Sequence, residues 1–145
     1  MNVYRVNPEV EVYEISTDLW RSSRAVVPPY EIINPRHCSH VFVKGASHWV
    51  AIEHEKEQNR YLILSFDMDS EVFGEMMLPA SVSNGRGLNL SISFFGESLS
   101  LFHYDDGVLS DGSYYNICPI WVMKEYGSVE SWTKLFTVDL GRKID

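Results

Sequence analysis

A short segment of this sequence contains histidine and cysteine, two residue types that bind metal ions in proteins. His37, Cys38 and His40 lie together, with His48 nearby, and zinc takes imidazole and thiolate ligands. A closed zinc site needs four ligands, and the second cysteine, Cys118, lies far along the chain with no Cys-x-x-Cys pair in the sequence. We therefore interpret residues 37–40 as a loop that enters a strand, with no metal.

Three acidic residues, Asp67, Asp69 and Glu71, alternate in the way that the first ligands of a calcium loop do. Such a loop also requires glycine at its sixth position and glutamate at its twelfth. The corresponding residues here are Val72 and Leu78. The stretch is therefore predicted to be a bend between two strands and not an ion site.

No combination of nucleophile and base in the sequence predicts an enzyme. Ser47 and His48 are neighbours, but adjacent residues of a strand point to opposite faces. Cys118 precedes a proline and has no flanking histidine, and residues 85–87 (GRG) are too short for a phosphate loop. We therefore expect neither catalysis nor a cofactor.

Composition and charge narrow the function further. The chain has 145 residues, which suits one domain, and its 12 Lys+Arg against 20 Asp+Glu give a net charge of −8. Such a surface would repel a nucleic acid backbone. No apolar run approaches the roughly 18 residues that span a bilayer, and the first residues do not form a signal peptide. Two cysteines with no pairing pattern suit a reducing compartment, so the expected location is the cytoplasm or the nucleus.

Short runs of alternating apolar and polar residues recur along the chain, which is the pattern of half-buried strands. The runs cover residues 10–15, 40–43, 88–94 and 98–102, and clean amphipathic helical spacing is not found. Gly45 and Gly96 stand between paired runs, where a tight hairpin needs a positive φ. The chain is therefore predicted to be all-β.

These runs form a repeat of about 50 residues with four strands in each unit, which is typical of a kelch-like β-propeller blade. In each unit a strand ends in a large side chain, and a short bend leads to an aromatic residue in the next strand. The matched pairs are Tyr13 and Trp20, Phe66 and Phe73, and Met123 and Trp132. We predict a propeller segment of about two and a half blades, an incomplete ring with open strand edges.

The matched aromatic residues Trp20, Phe73 and Trp132 distinguish this propeller segment from an alternative fold. In a propeller they pack at like positions in the core between adjacent sheets, which is the interpretation that their repetition favours. In a small all-β domain that binds a ligand or a carbohydrate, they would line an open groove as an aromatic platform.

Four segments of the sequence, in the same order, resemble the plant F-box-associated domain. They are residues 10–21 (VEVYEISTDLWR), 43–49 (VKGASHW), 63–73 (ILSFDMDSEVF) with Leu78 and Pro79 after it, and 120–136, which holds IWVMKEYG and SWTKLF. Together they cover most of residues 10–138. They are most similar to the S-locus F-box-like branch of the family.

This resemblance implies a substrate-recognition module of an SCF-type ubiquitin ligase. In such proteins an F-box binds a Skp-type adaptor and through it the cullin, while the associated domain binds the protein target. In the S-locus branch the targets are S-RNases of the pistil, in self-incompatibility. No F-box is recognised in residues 1–145, so we expect a partial F-box-associated domain that meets adaptor and cullin only in a full-length form. Ubiquitin transfer would be carried out by partner subunits.

Loop lengths predict where a partner binds. Links between strands are short on one rim of the propeller segment and long on the other, where they cover residues 22–39, 53–60, 79–87 and 105–117. Longer loops on a rigid scaffold are the usual place for binding. Acidic and tyrosine side chains in the last link suit a protein partner with a basic surface. The predicted binding residues are Asp105, Asp106, Asp111, Tyr114 and Tyr115.

Overall fold

A computed structural model describes residues 8–33, 40–55, 57–83 and 89–141 of the chain. In this part of the chain, antiparallel strands form three successive units. The first is a hairpin of β1 (Glu11–Glu14) and β2 (Leu19–Ser22). The second is a sheet of β3 (Glu31–Ile32), β4 (His40–Val43), β5 (Ala46–His54), β6 (Asn59–Asp67) and β7 (Val72–Met77). The third is a sheet of β8 (Asn89–Phe95), β9 (Ser98–Val108), β10 (Tyr114–Met123) and β11 (Trp132–Asp139).

Both large sheets are four strands wide and are meanders. In the second unit, β3 and β4 pair with different parts of the same edge of β5, and β5, β6 and β7 follow in order. A single helical turn, α1 (Ala80–Ser83), lies between the two sheets in sequence, and a 3₁₀ turn (Val129–Ser131) precedes β11. The described residues are thus nearly all β, with no closed ring, as predicted for a propeller segment.

Strand register matches the predicted repeat in all three units. In each unit, the residues on either side of the last bend are cross-strand partners. They are Tyr13 and Trp20, Phe66 and Phe73, and Met123 and Trp132. The same three pairs stood out in the sequence because aromatic residues recur there at similar spacing. The first unit therefore corresponds to the last two strands of a blade, and the other two units are whole blades.

The bend at residues 67–71 is held by its own side chains. One carboxylate oxygen of Asp67 accepts hydrogen bonds from the backbone N–H groups of Asp69 and Ser70, at 3.0 and 2.8 Å, and from the Ser70 hydroxyl at 3.0 Å. Glu71 has a φ of 54°, and its carboxylate accepts a hydrogen bond from Arg21 at 2.9 Å. These acidic groups already have partners within the fold, which agrees with a bend rather than a calcium loop.

The main core lies between the two large sheets. Each sheet contributes alternate residues of its strands to this core. The second sheet unit supplies Val41, Val43, Val50, Ile63, Leu78 and Val82, and the third supplies Leu90, Ile92, Leu99, Leu101, Met123 and Trp132. A smaller cluster of Ala51, Leu62 and Leu64 lies on the opposite face of β5 and β6. Because one sheet is packed on both faces, it is the centre of the described fold.

The three matched aromatic residues are not equally buried. Trp132 is 7% exposed, and its indole N–H donates to the Met77 carbonyl oxygen at 3.0 Å, so it packs in the core as predicted. Phe73 is half-buried, with its ring centroid 4.9 Å from that of Phe66. Trp20 is 67% exposed, so the expectation of core packing is wrong for this residue. The reason is that β1 and β2 form a two-stranded unit, which is too narrow to enclose an indole ring.

Two of the predicted long links are strands over most of their length. In residues 53–60, Glu53 pairs with Arg60 and His54 with Asn59. In residues 105–117, β9 and β10 stay paired out to Val108 and Tyr114. The predicted loop is therefore a hairpin with a short turn, and this corrects the expectation of a long loop. The links at residues 22–39 and 79–87 fall partly outside the described residues.

Candidate partner-binding surface

The β9–β10 hairpin extends beyond the rest of its sheet. Pairing of β8 with β9 begins at Asn89 and Tyr104, and pairing of β10 with β11 ends at Ile117 and Asp139. Residues 106–115 therefore have no flanking strand among the described residues, and we call residues 105–117 the projecting hairpin. It carries all five binding residues predicted from the sequence. Because it is built from paired strands, it presents its side chains at fixed positions.

The two tyrosine–aspartate pairs of the hairpin point to opposite faces. The Tyr114 hydroxyl donates to the Asp106 carboxylate at 2.8 Å, and the Tyr115 hydroxyl donates to the Asp105 carboxylate at 3.4 Å. Successive residues of a strand alternate between faces, so each tyrosine shares a face with one aspartate only. The predicted acidic cluster is thus divided between two surfaces.

One of these faces is well suited to contact a partner, and we call it the outer hairpin face. It carries Tyr104, Asp106, Val108 and Tyr114, all of which are exposed. The other face continues the strand positions of Leu99 and Leu101, which belong to the core between the sheets. The outer hairpin face therefore combines two tyrosines, one valine and one carboxylate on a rigid surface.

Gly107 allows the Tyr115 ring to lie across the hairpin. A Cβ atom at this position would come within 2.7 Å of the tyrosine hydroxyl oxygen and 2.9 Å of two ring carbons. Any side chain at residue 107 would therefore displace the ring. The contact covers a glycine that would otherwise leave the strand without side-chain packing.

Asp111 has a structural role at the tip of the hairpin. Its carboxylate accepts hydrogen bonds from the backbone N–H and the hydroxyl of Ser113, at 2.9 and 2.5 Å, and these bonds hold the pKa of Asp111 below its ordinary value. The neighbouring Gly112 has a φ of 82°, a conformation that glycine adopts readily. Asp111 thus shapes the turn and is poorly placed to make a second contact with a partner.

The charge of the hairpin is uncompensated. Neither Asp105 nor Asp106 forms an ion pair with any described Lys or Arg. The hydrogen bond to Asp106 raises the pKa of Tyr114, and the charge of Asp105 raises the pKa of Tyr115, so both phenols stay protonated donors. Burial lowers the pKa of His103, which precedes them in β9, so this histidine is neutral near pH 7. The hairpin therefore presents negative charge at the surface of the fold.

The described residues contain no cluster of His, Cys, Asp or Glu that could hold a metal ion. His37 and Cys38 lie outside the described residues. His48 belongs to the core, where its ring has other partners. Cys118 is a free thiol that is buried, and burial raises its pKa, which makes it a poor nucleophile. No helix in the described part of the chain is long and apolar enough to cross a membrane.

An open aromatic cleft lies beside the second unit. It has a volume of about 710 Å³ and is bounded by the β1–β2 hairpin, residues 27–32 and the face of the second sheet that carries Leu64. Its aromatic lining consists of Tyr13, Trp20, Tyr30, Trp49, Phe66 and Phe73. Two of the three matched aromatic residues thus line this cleft, whereas Trp132 is in the core.

His48 and Tyr126 form a contact that sequence reasoning missed. The His48 side chain is fully buried; Nδ1 lies 3.1 Å from the Val41 carbonyl oxygen and Nε2 lies 2.7 Å from the Tyr126 hydroxyl oxygen. Since a carbonyl oxygen only accepts, Nδ1 carries the proton and Nε2 accepts from Tyr126. The bond joins β5 of the second unit to the link between β10 and β11 of the third, and no local pattern in the sequence indicates it.

Comparison with known proteins identifies the family. A model of the F-box associated beta propeller domain matches residues 2–145, which is almost the whole chain. The chain belongs to this family. The F-box/kelch-repeat protein At3g23880 of Arabidopsis thaliana is 29% identical over 136 residues, which is 93% of this chain and 34% of that protein. The F-box protein CPR1 of the same plant is 26% identical over 145 residues, which is 94% of this chain and 33% of that protein.

The chain thus spans about a third of the length of these curated relatives. No solved structure matches it at a significant level. The family match covers the projecting hairpin and the aromatic cleft alike. The resemblance inferred from the four sequence motifs is therefore confirmed at the level of the family.

Proposed function

We propose that this F-box associated domain recognises protein targets of an SCF-type ubiquitin ligase, and that its outer hairpin face contacts a basic surface of the target. In this proposal the domain has no catalytic role. A Skp-type adaptor and a cullin join through the F-box of a full-length form, and partner subunits transfer ubiquitin. The names of the relatives, which are F-box and F-box/kelch-repeat proteins, support this role.

The observation that carries the proposal is the composition of the outer hairpin face. Tyrosine is enriched at protein interfaces because it offers a large contact area and a hydroxyl on a side chain with few rotatable bonds. Tyr104 and Tyr114 lie on paired strands on either side of Asp106, whose charge no described cation neutralises. The net charge of −8 favours a basic target in the same way. S-RNases are the target class that the resemblance to the S-locus branch suggests.

Kinetic measurements on immobilised residues 1–145 test this proposal. The probes are an S-RNase-type ribonuclease and hen lysozyme, a basic protein of unrelated fold that reports binding by charge alone. Asp106→Asn should slow association several-fold at low salt and have little effect at high salt, since rim charges act mainly on the association rate. Tyr114→Ala should raise the dissociation rate about tenfold or more at any salt, because buried aromatic residues dominate interfaces.

The opposite hairpin face supplies the control. Asp105→Asn makes the same change of charge one residue away, and it should leave both rates unchanged. Equal effects of the two aspartate substitutions would mean that only net charge matters. If neither Asp106→Asn nor Tyr114→Ala alters binding of a probe that the domain captures, the hairpin is not the binding surface. Equal capture of both probes would refute specific recognition.

The aromatic cleft supports a second candidate function, the binding of a planar ligand or a carbohydrate. Its volume falls within the range of small-molecule sites, and Trp20 is exposed beside it. Cellotetraose and the dye 1-anilinonaphthalene-8-sulfonate are suitable probes. Binding should quench tryptophan fluorescence in the intact domain and should be lost in Trp20→Ala. Absence of saturable quenching by either probe would exclude this candidate.

A further inference from the structure

The third sheet has one face packed against the second sheet and one open face. The packed face carries Leu99 and Leu101, which belong to the core. On the open face, Phe102 pairs with Ile120 and Ile120 pairs with Phe136, so these three residues form one row across β9, β10 and β11. We call them the open row. Phe136 is 50% exposed, which leaves a large apolar side chain in water.

The second sheet has a row at the same place in the repeat. Val50 pairs with Ile63 and Ile63 pairs with Met76, across β5, β6 and β7. Ile63 and Ile120 match because each lies three residues before the large side chain that precedes the last bend of its unit. Val50 and Ile63 are almost fully buried, and they share a core cluster with residues of the third sheet. The open row therefore repeats a row that is covered by the next unit.

A tryptophan marks the unit that covers such a row. Trp132, of the third unit, is buried against the second, where its indole N–H donates to the Met77 carbonyl oxygen at 3.0 Å. The matched residue of the first unit is Trp20, which is exposed and whose indole has no acceptor among the described residues. The position of Met77 corresponds to Thr137 in the third unit, because each is the β-strand partner of the residue that precedes its matched isoleucine.

The contact between the two large sheets thus joins two different surfaces of one repeat. The described units carry one unmatched example of each surface, since the open row belongs to the third unit and Trp20 to the first. A second copy of the chain supplies the missing half of both contacts. Such a contact is heterologous, and heterologous contacts produce a ring when the rotation closes. Two copies hold about five blades, and propeller rings typically contain about 4–8.

We propose that a second copy of this chain docks its β1–β2 hairpin on the open row, with Trp20 placed as Trp132 is placed against the second sheet. Its indole N–H then donates to the Thr137 carbonyl oxygen of the first copy. The converse contact follows from two-fold symmetry, so two copies close one ring. This proposal does not depend on the proposed function, because it uses neither Asp106 nor Tyr114.

Sedimentation equilibrium on residues 1–145 over a range of concentrations tests this proposal. The ionic strength should be about 0.15 M or higher, where a Debye length of about 8 Å screens repulsion between two acidic copies. We expect a reversible monomer–dimer equilibrium. Trp20→Lys or Phe136→Lys alone should weaken it about tenfold or more, because each removes an aromatic anchor and places a charge in an apolar contact. Lysine also lowers the net negative charge, so repulsion between copies cannot explain the loss.

Two further variants support the measurement. Phe94→Lys is the matched control, since Phe94 is 63% exposed and pairs with Leu99, on the other face of the third sheet. It should leave dimerisation unchanged. Val138→Lys changes a residue on the same side of β11 as Phe136, and it replaces Phe136→Lys if that variant does not fold in a thermal scan.

Mixing the two single variants is the decisive step. A Trp20→Lys chain still has an intact open row, and a Phe136→Lys chain still has an intact Trp20. Their heterodimer therefore contains one wild-type contact, whereas each homodimer has a defect in both contacts. The mixture should dimerise more tightly than either variant alone.

Four results would overturn the proposal. The first is a wild-type chain that stays monomeric at every concentration, which would leave the open row to another partner, such as a further blade or a target. The second is a dimer that neither lysine weakens, which would indicate pairing between open strand edges. The third is continued growth beyond a dimer, which would exclude a closed ring. The fourth is a mixture that dimerises no better than its components.

Discussion

Removal of one hydroxyl group, in Tyr126→Phe, tests the hydrogen bond that joins β5 of the second unit to the link between β10 and β11 of the third. In the folded protein this hydroxyl donates to Nε2 of His48 over 2.7 Å, and the His48 side chain is fully buried. The substitution keeps the aromatic ring, which contacts the imidazole edge-on with ring centroids 5.6 Å apart. What is lost is the only described partner of a buried acceptor.

The expected cost follows from that desolvation. A buried polar atom without a partner destabilises a fold by about 1–3 kcal/mol. For a chain of this size, each kcal/mol corresponds to a fall in the melting temperature of roughly 2–4 °C. We therefore expect Tyr126→Phe to unfold several degrees below the wild type in a thermal scan, with a matching decrease in the urea midpoint.

Tyr114→Phe is the matched control for this prediction. It removes a hydroxyl that donates over 2.8 Å to Asp106, but both residues are exposed and water replaces the bond. Its effect should stay within about 0.5 kcal/mol. In a His48→Leu background, Tyr126→Phe should also cost little, because no acceptor remains to be left unpaired. Equal losses for Tyr126→Phe and Tyr114→Phe, or an unchanged cost in the His48→Leu background, would refute the reasoning.

Two further predictions concern stability. Burial lowers the pKa of His48 and of His103. Below about pH 6.5 the unfolded chain therefore binds more protons at these two histidines than the folded chain does. The free energy of unfolding should be level above about pH 6.5 and should fall as the pH drops below that value. Urea titrations between about pH 7.5 and pH 5 measure this dependence of the free energy of unfolding on pH, which should be weaker in His48→Asn than in the wild type. Gly107→Ala should destabilise the fold by about 1–2 kcal/mol, because the added methyl group displaces the Tyr115 ring; an unchanged melting temperature would show that the ring moves aside without cost.

Much of the fold could be predicted because the repeat leaves a pattern in the sequence. Aromatic and β-branched residues recur where strands pair, and the matched positions Phe66 and Phe73 are cross-strand partners. The burial of each matched residue could not be predicted, since it depends on how many strands surround it. Trp20 lies in a two-stranded unit and is exposed, while Trp132 lies between two full sheets and is buried.

Of the five binding residues predicted from the sequence, Asp106 and Tyr114 lie on the outer hairpin face, and the hairpin that carries them was not predicted. Aspartate, glycine and serine dominate residues 105–113, and these residue types favour loops, so the sequence predicts a loop there. The segment is nevertheless paired as strands out to Val108 and Tyr114, and the Tyr115 ring covers Gly107 across the hairpin. Such contacts are cross-strand, and their geometry depends on a register that composition does not reveal. The His48–Tyr126 bond joins residues far apart in sequence and leaves no local signal.

The core that the two large sheets share has a consequence for how the chain is synthesised. Residues 40–83 leave the ribosome before residues 89–141, and they carry Val50, Ile63 and Leu78, which share a core cluster with residues of the later sheet. Until roughly fifty more residues have been translated, at about 5–20 residues per second, this half of the core is open to water for several seconds. The nascent domain is then a natural client for chaperones, and slow codons within the third unit would lengthen that exposure.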